Sequence, residues 1–294
     1  MNERRFIVPP GKRFRFEDHD PAFTGRFREK GEAEDKLRKD IATLSRLQDV
    51  LYAQNRYAVL LIFQAMDAAG KDGTVKHVMS GVNPQGCQVY SFKAPSAEEL
   101  DHDFLWRCHK ALPERGRIGI FNRSYYEEVL VVRVHPRILK SQNLPPRPSG
   151  DALWKRRFED INHFERYLVN NGVIILKFFL HLSKAEQKRR FLERIDTPEK
   201  NWKFSGSDVA ERAHWKDYMA AYGDVFTRTS TPWAPWHVIP ADNKWFTRLT
   251  VADIIVRNLK KLDLHYPRPT DEHRASLLEA RQLLEREPEP GNGP

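Results

Sequence analysis

One stretch of the chain combines the residue types and the spacing of a phosphate site, Ala65-Met-Asp-Ala-Ala-Gly-Lys-Asp-Gly-Thr74. It follows a continuous apolar run at 58–63, which predicts a strand buried on both faces, and it precedes the opening of a predicted helix at 75–79. The phosphate-binding pattern Gly-x-x-x-x-Gly-Lys-Ser/Thr lies between a strand and a helix in the same way. Backbone N–H groups at such a helix start bind phosphate oxygens, and a lysine adds positive charge. The predicted phosphate-binding residues here are Ala68, Ala69, Gly70, Lys71, Asp72, Gly73 and Thr74.

Two positions of this loop depart from the pattern. Ala65 stands where the first Gly is usual, and a left-handed backbone there would cost Ala about 1–2 kcal/mol. Asp72 replaces the Ser or Thr that normally binds Mg²⁺, and a second carboxylate, Asp67, lies inside the loop. Carboxylates beside phosphate repel it unless a divalent cation or a transferable proton lies between them. We therefore predict metal ligands at Asp67 and Asp72; the alternative is an ordinary strand–helix turn with a solvated lysine.

A second group of polar residues follows the short apolar run at 118–121, which predicts another strand. In parallel sheets ligands collect at the carboxyl ends of strands, and this end carries Asn122 and Arg123. Arg123 is suited to bind phosphoryl oxygens through two hydrogen bonds, whereas Asn122 would hold a metal only weakly or through water. Glu127 and Glu128 follow and are counted with the nucleotide site. The alternative is a surface helix with ordinary charges.

A basic helix is predicted at 184–195, with Arg190 and Arg194 one turn apart on one face. A hinged helix with arginines on one face is what a lid over transferring phosphates requires. The segment after it carries Lys200, Trp202 and Lys203, which could line a path for a polyanion. The alternatives are a solvated charged helix and a Trp202 that belongs to the core.

These sites are spaced along a regular alternation of elements. Strands are predicted at 58–63, 88–92, 118–121, 173–180 and 236–240, and helices at 35–55, 97–112, 154–171, 184–195, 207–226 and 246–262. Such alternation predicts an α/β protein whose parallel sheet of about five strands is covered on both faces. We expect an N-terminal arm at 1–34, one domain at 35–265 with a lid at about 183–212, and a C-terminal helix and disordered tail at 266–294.

Composition limits the class of protein. The 294 residues are 40% hydrophobic and 30% charged, as in a globular protein, and no apolar run approaches the roughly 18 residues that span a bilayer. The N-terminus lacks the apolar stretch of a signal peptide, and two cysteines cannot form a disulfide framework, so we expect a cytoplasmic protein. The formal net charge of +9 attracts polyanions: nucleic acid, anionic lipid or chains of phosphate.

At these motifs the chain resembles the polyphosphate kinase 2 family. The segments at 63–74 and 121–126 are similar to that family's phosphate loop and second motif, and 190–194 with 202–205 is similar to its lid. The resemblance covers most of the chain, from about 35 to 262. It implies a thymidylate-kinase-like P-loop fold of three α/β/α layers. It also implies phosphoryl transfer between inorganic polyphosphate and nucleotides, with Mg²⁺ as the metal and Mn²⁺ as its alternative.

The resemblance also implies roles for single residues. Asp67 would bind the metal or position the accepting phosphate, and Lys71 and Arg123 would hold phosphates. Arg190 and Arg194 would act from the lid. Many family members carry Asp where this chain has Asn122. An amide is a weaker metal ligand than a carboxylate, so Asn122 is expected to contact the metal only through a water molecule.

The resemblance also implies which nucleotide accepts the phosphoryl group and how the protein assembles. The segment at 122–128 looks most like the subgroup that accepts both AMP and ADP, so Glu127 or Glu128 is expected to help select the acceptor. Guanine nucleotides are further candidate acceptors, and family members form homo-oligomers, as dimers or tetramers. A long polyanionic donor needs a basic track outside the catalytic centre. The candidates are Lys76, His77, Arg133, Arg137, Lys200 and Lys203.

Two other functions compete with this interpretation. An ATP-dependent nucleoside monophosphate kinase would share the loop, lid and fold, but Ala65, Asp72 and the excess positive charge argue against it. A non-enzymatic nucleic-acid-binding protein would explain the charge but not the strand that leads into Gly70-Lys71. No zinc-finger or aromatic RNA-reading motif is present in the sequence, so neither nucleic acid nor a membrane is an expected partner.

Overall fold

The computed structural model describes residues 2–142, 144–145 and 150–287. Its centre is a sheet of five strands in the order β2-β3-β1-β4-β5, with every neighbouring pair parallel. The strands are β1 (Ala58–Ala65), β2 (Cys87–Ser91), β3 (Ile118–Asn122), β4 (Val173–His181) and β5 (Trp236–Pro240). Because β1 lies between β3 and β4, the residues that follow these three strands meet at one edge of the sheet.

Helices cover both faces of this sheet. They are α1 (Lys30–Gln54), α2 (Lys71–Val78), α3 (Ala97–Leu100), α4 (Trp106–Lys110), α5 (Val131–Val134), α6 (Pro136–Ser141), α7 (Asp151–Asn170), α8 (Lys184–Asp196), α9 (Gly206–Ala213), α10 (Trp215–Thr229), α11 (Lys244–Leu259) and α12 (Asp271–Arg286). Short 3-10 helices lie at Glu3–Arg5, Phe16–Asp18, Pro84–Gly86, Tyr125–Val129 and Pro198–Lys203. None of the described helices is long and apolar enough to cross a membrane. The predicted three-layer P-loop kinase architecture is confirmed.

The two faces of β1 supply two separate cores. Val59, Leu61 and Phe63 point to one side and pack against α1 and α11. Leu60 and Ile62 point to the other side and pack against α7 and α10. Successive side chains of a strand alternate between faces, so a strand buried on both must be apolar throughout. This requirement explains the unbroken apolar run in the sequence.

The N-terminal arm covers the edge of β5. Ile7 forms an antiparallel bridge with His237, and the N–H of Val8 donates to the carbonyl of Trp236 at 2.9 Å. Phe6 and Val8 are buried in the two different cores. A free sheet edge is prone to pairing with other chains, and the arm removes that exposure. The predicted arm is therefore part of the packed domain.

Several predicted element boundaries differ from the structure. The first long helix begins at Lys30 and so includes the last residues assigned to the arm. The helix predicted at 97–112 is divided into α3 and α4, and the Asp103 carboxylate accepts from the Leu105 N–H at 2.9 Å in the turn between them. The helix predicted at 207–226 is divided at His214 into α9 and α10. In the C-terminal segment at 266–294, α12 ends at Arg286. Residues 288–294, at the end of the predicted disordered tail, lie outside the described residues.

Candidate active site

The phosphate loop connects β1 to α2 through two left-handed residues. Gly70, with φ 98°, is the N-cap of α2, and Ala68 has φ 64°. Ala65 is the last residue of β1 and is not among the residues with positive φ. The left-handed backbone anticipated at Ala65 therefore occurs three residues later, at Ala68. It costs that alanine about 1–2 kcal/mol of conformational free energy. The helix start that follows directs N–H groups toward the cleft, as the loop pattern predicts.

Lys71 is the first residue of α2 and turns its side chain back over the loop. Its ammonium donates to the carbonyl of Ala65 at 3.1 Å. Burial lowers the pKa of Lys71, while the charge of Asp67 opposes that shift. A buried lysine that donates to a loop carbonyl is well placed to exchange that bond for one to a phosphate oxygen.

The two loop carboxylates each face a neighbouring donor. Asp67 Oδ1 lies 3.5 Å from the Arg123 guanidinium, and Asp72 Oδ1 accepts from the Asn122 amide at 2.6 Å. Among the described residues no group of three or more His, Cys, Asp or Glu could hold a metal by itself. Mg²⁺ suits such a site, because it is commonly held by one or two carboxylates together with waters and substrate phosphates. Asp67 and Asp72 fit that pattern, and the Asn122 amide orients the Asp72 carboxylate by donating to it.

Arg123 follows β3 in a left-handed conformation, with φ 64°. Its N–H donates to the carbonyl of Phe63 at 3.1 Å, which ties the turn to β1. Its side chain remains 44% exposed and faces the cleft. Although burial opposes it, the charges of Glu127 and Asp67 raise the pKa of Arg123. The guanidinium is therefore held charged beside the loop and accessible to an anion.

A buried polar network anchors the residues that follow Arg123. The Lys177 ammonium donates to Glu165 at 2.7 Å, to the Tyr126 hydroxyl at 2.9 Å and to the Thr229 carbonyl at 2.7 Å. The hydroxyls of Tyr125 and Tyr126 donate to the other Glu165 oxygen at 2.9 and 2.7 Å. Burial lowers the pKa of Lys177, and the charge of Glu165 opposes it. This network holds the backbone at Tyr125 and Tyr126, directly after Arg123, in place.

The structure separates the two glutamates predicted near the nucleotide. Glu127 accepts from the Gln64 amide at 2.8 Å at the end of β1 and raises the pKa of Arg123 by its charge. Glu128 is buried, with Arg157 at 3.2 Å and the Gln142 amide at 2.7 Å. Glu128 therefore belongs to an internal ion pair, whereas Glu127 is half-buried beside Arg123; neither is among the described residues that line the cleft.

The predicted lid arginines occupy different environments. Arg190 is 3% exposed, and its guanidinium donates to the carbonyls of Ala68, Ala69, Ala241 and Asp242 at 2.6–3.1 Å. It therefore supports the loop from the α8 side, a different position from that of an arginine closing over substrate. Arg194 lies one turn later, half-buried, 4.0 Å from Asp208 of α9, and lines the cleft.

An open cleft of about 870 Å³ surrounds the loop. Three basic residues that line it were missed in the sequence: Lys93 follows β2, and Lys244 and Arg248 lie one turn apart on α11. Burial lowers the pKa of Arg248. A search for basic residues just after every predicted strand would have found Lys93 and Lys244, because ligands gather at the carboxyl ends of parallel strands. Arg248 lies one helical turn beyond Lys244, so that search would have missed it.

Only part of the predicted basic track reaches the cleft. Lys76 and Lys200 line it, although Lys200 is paired with Glu193 at 2.6 Å. His77 instead lies 2.7 Å from the Gly73 carbonyl, and Arg133 binds Asp224 at 2.7 Å. Arg137 is exposed and does not line the cleft; the side chain of Lys203 lies outside the described residues. Trp202 lines the cleft and is 78% exposed, so its alternative assignment to the core is wrong.

Comparisons with known proteins agree with this architecture. The model of the polyphosphate kinase 2 family matches residues 28–267. An ADP-polyphosphate phosphotransferase of Rhodopseudomonas palustris is 57% identical over 84% of this chain and 86% of its own length. An AMP/ADP-polyphosphate phosphotransferase of Meiothermus ruber is 44% identical over 90% of this chain and 96% of its own. The crystal structure of polyphosphate kinase 2 from Arthrobacter aurescens TC1 matches with a TM-score of 0.83 at 41% identity, over 92% of this chain and 95% of that chain.

Proposed function

The chain belongs to the polyphosphate kinase 2 family, and on that premise we propose that it transfers phosphoryl groups between inorganic polyphosphate and adenine nucleotides, with AMP and ADP as acceptors. The observation that carries the proposal is the charge of the cleft, where nine basic side chains accompany four carboxylates. A nucleotide alone needs few of these cations, whereas a polyphosphate carries negative charge along its whole length. The surplus therefore favours a phosphate chain as one substrate.

Phosphoryl transfer asks a protein mainly for alignment and charge neutralisation. In this site the loop N–H groups and the Lys71 ammonium hold the phosphoryl group from one side. Arg123 approaches from β3 and binds oxygens of the same group or of the accepting phosphate. Asp67, 3.5 Å from Arg123, keeps that guanidinium directed at the loop. No covalent intermediate with the protein is required.

Mg²⁺ is the metal we propose, with Mn²⁺ as an alternative, and Asp67 and Asp72 would hold it. When bound, the metal would neutralise the negative charge of the phosphates during transfer. Asn122 contributes by orienting the Asp72 carboxylate at 2.6 Å. Removal of the metal with EDTA should abolish turnover, and added Mg²⁺ should restore it.

The polyphosphate track we propose follows the cleft-lining lysines and arginines rather than the more distant basic residues. Its members are Lys76, Lys93, Lys200, Lys244 and Arg248. Arg248→Ala should raise the KM for polyphosphate several-fold and leave the KM for AMP unchanged. Arg137→Ala is the matched control, since Arg137 is exposed outside the cleft. An equal effect of both variants would contradict this track.

Glu127 is the acceptor-selecting residue we retain, because it lies beside Arg123 at the end of β1, whereas Glu128 is paired internally with Arg157. Guanine nucleotides are further proposed acceptors.

We propose that the protein is a cytoplasmic homo-oligomer, either a dimer or a tetramer. Both cysteines, Cys87 and Cys108, are free thiols, which agrees with a reducing compartment. Light scattering on the purified protein would measure the oligomeric state.

Turnover with AMP, ADP, GMP and GDP tests the activity directly. Each nucleotide is incubated with polyphosphate and Mg²⁺, without ATP, and the products are separated by anion-exchange chromatography. We expect ADP and ATP from AMP, and ATP from ADP. Phosphorylation of AMP only when ATP is supplied would identify an ATP-dependent monophosphate kinase instead.

A further inference from the structure

Three successive carbonyls of the phosphate loop are held by one face of α8. The Gln187 amide nitrogen donates to the carbonyl of Asp67 at 2.9 Å. One nitrogen of the Arg190 guanidinium donates to the carbonyls of Ala68 and Ala69 at 3.0 and 3.1 Å. The loop is therefore attached through its backbone acceptors rather than through its side chains.

This attachment determines where the loop N–H groups point. No described peptide bond is cis, and in a planar trans peptide the carbonyl and the following N–H point in opposite directions. When the carbonyls of Asp67 and Ala69 face α8, the N–H groups of Ala68 and Gly70 face away from it, while the Ala69 N–H between them donates to the Met66 carbonyl at 3.3 Å. Backbone N–H groups directed to the same side of a turn can bind an anion together. The donors on α8 thus orient the groups that receive phosphate.

Gln187 also connects the loop to α9. Its amide oxygen accepts from the Arg212 guanidinium of α9 at 2.8 Å, and Arg212 also donates to the carbonyl of Lys184 at 2.8 Å. Arg212 can only donate, so the oxygen of Gln187 must face it and the nitrogen must face the loop. Gln187 is 1% exposed, with both ends of its amide bonded. It is the link between α9 and the Asp67 carbonyl.

We propose that Gln187 is a positioning residue for phosphoryl transfer, which orients the peptide after Asp67 and couples the placement of α9 to the phosphate loop. The role rests on the proposed function, because the loop is the site at which the phosphoryl group is held. Asp67 lies on the same peptide and carries the carboxylate nearest Arg123. A rotation at this peptide therefore displaces both an N–H donor and that carboxylate.

Gln187→Met retains the length of the side chain and removes both hydrogen bonds. We expect kcat to fall by about tenfold to a hundredfold, since small misplacements of reacting groups produce losses of that size. Gln48→Met is the matched control: Gln48 is also 1% exposed and accepts from the Asn83 N–H at 3.2 Å, but it lies on α1. The control should keep the kcat of the wild type when both are normalised to folded protein.

Gln187→Glu separates positioning from stability. The carboxylate still accepts from Arg212, so thermal stability should recover relative to Gln187→Met, but an ionised carboxylate cannot donate to the Asp67 carbonyl. We expect kcat to stay low in this variant. Recovery of kcat together with stability would show a merely structural role and overturn the proposal.

The coupling to α9 is tested with Arg212→Met. It should lower kcat in the wild-type background and have little further effect in the Gln187→Met background, since residues in one network are not additive. Fully additive effects would overturn the coupling.

Hydrogen exchange of the loop gives a readout that needs no activity. Amides at 67–70 should exchange faster in Gln187→Met than in the wild type or in Gln48→Met. If the wild type shows no polyphosphate-dependent turnover, the proposed function fails, and loop exchange still tests the role of Gln187. If the wild type is active but Gln187→Met changes neither kcat nor loop exchange, this inference alone fails.

Discussion

The phosphate loop and the Arg123 turn each contain one non-glycine residue in the left-handed conformation, and the protein stabilises the two in different ways. Ala68 and Arg123 both have φ 64°. The carbonyl of Ala68 is bound by the buried Arg190, so the loop is held by its backbone acceptors. Arg123 is held by its own N–H and by the anchored Tyr125 and Tyr126 that follow it.

The difference matches what each region presents to an anion. A loop held by its carbonyls presents N–H groups, whereas a turn held by its neighbours presents a long charged side chain. Strained backbone persists only where the surroundings over-determine it, and such sites cluster where ligands bind. Variants that remove one support at a time test whether the two regions are independent.

The largest loss of activity is expected when Lys71, which we propose holds the phosphoryl group between the two regions, is removed. Lys71→Ala should lower kcat/KM for polyphosphate about 10³-fold, or about 4 kcal/mol, as loss of a pre-positioned charge stabiliser does. Steady-state kinetics with ADP as acceptor measures it. Lys76→Ala, at a second lysine of α2 that belongs to the proposed track, is the comparison and should lose only several-fold. Undiminished turnover in Lys71→Ala would refute the catalytic assignment.

Lys177→Met removes the buried ammonium of the network that anchors the Arg123 turn. It leaves the buried Glu165 carboxylate without its cation, and breaking such a pair should lower the free energy of unfolding by about 3 kcal/mol. Urea denaturation followed by circular dichroism measures the change. Adding Glu165→Gln to this variant should restore part of the loss. An unchanged unfolding midpoint in Lys177→Met would argue against an ionised pair.

Arg123→Lys tests the side chain that the turn presents. It keeps the charge but loses two-point hydrogen bonding, so kcat should fall about tenfold, or about 1.4 kcal/mol. The free energy of unfolding should be little changed, because this side chain is 44% exposed. Arg137→Lys, outside the cleft, serves as the control for the same exchange. Equal activity of the wild type and Arg123→Lys would show that only charge is needed there.

Ala68→Gly should have the smallest effect. Relief of the left-handed strain, about 1–2 kcal/mol, is largely offset by the added chain entropy of Gly, about 0.5–1 kcal/mol, for a net gain of about 0.5 kcal/mol. Ala69→Gly is the control, since Ala69 is not among the residues with positive φ, and it should be destabilising. Thermal unfolding compares the two. Equal destabilisation would mean that Ala68 carries no strain.

Much of the fold could be predicted because it depends on local pattern. A strand buried on both faces must be continuously apolar, and the runs at β1 and β4 have that form. The order of strands and helices, the Gly-Lys loop at the start of α2 and the position of Arg123 after β3 follow from the same local signals. The breaks near 103 and 214 were not predicted, and the helices that begin after them have no side-chain cap that could have signalled a new start.

The sequence by itself determined the α/β class, the phosphate loop, the polar residues that follow β3 and the excess of positive charge. Only the tertiary structure decided which cations face the cleft, because residues distant in the chain meet there. It turned Arg133 toward Asp224, buried Glu128 beside Arg157, and brought Lys244 and Arg248 of α11 to the loop. It also placed Arg190 beneath the loop rather than over it. Spacing along one helix shows which residues share a face, but the packing of that helix decides what the face meets.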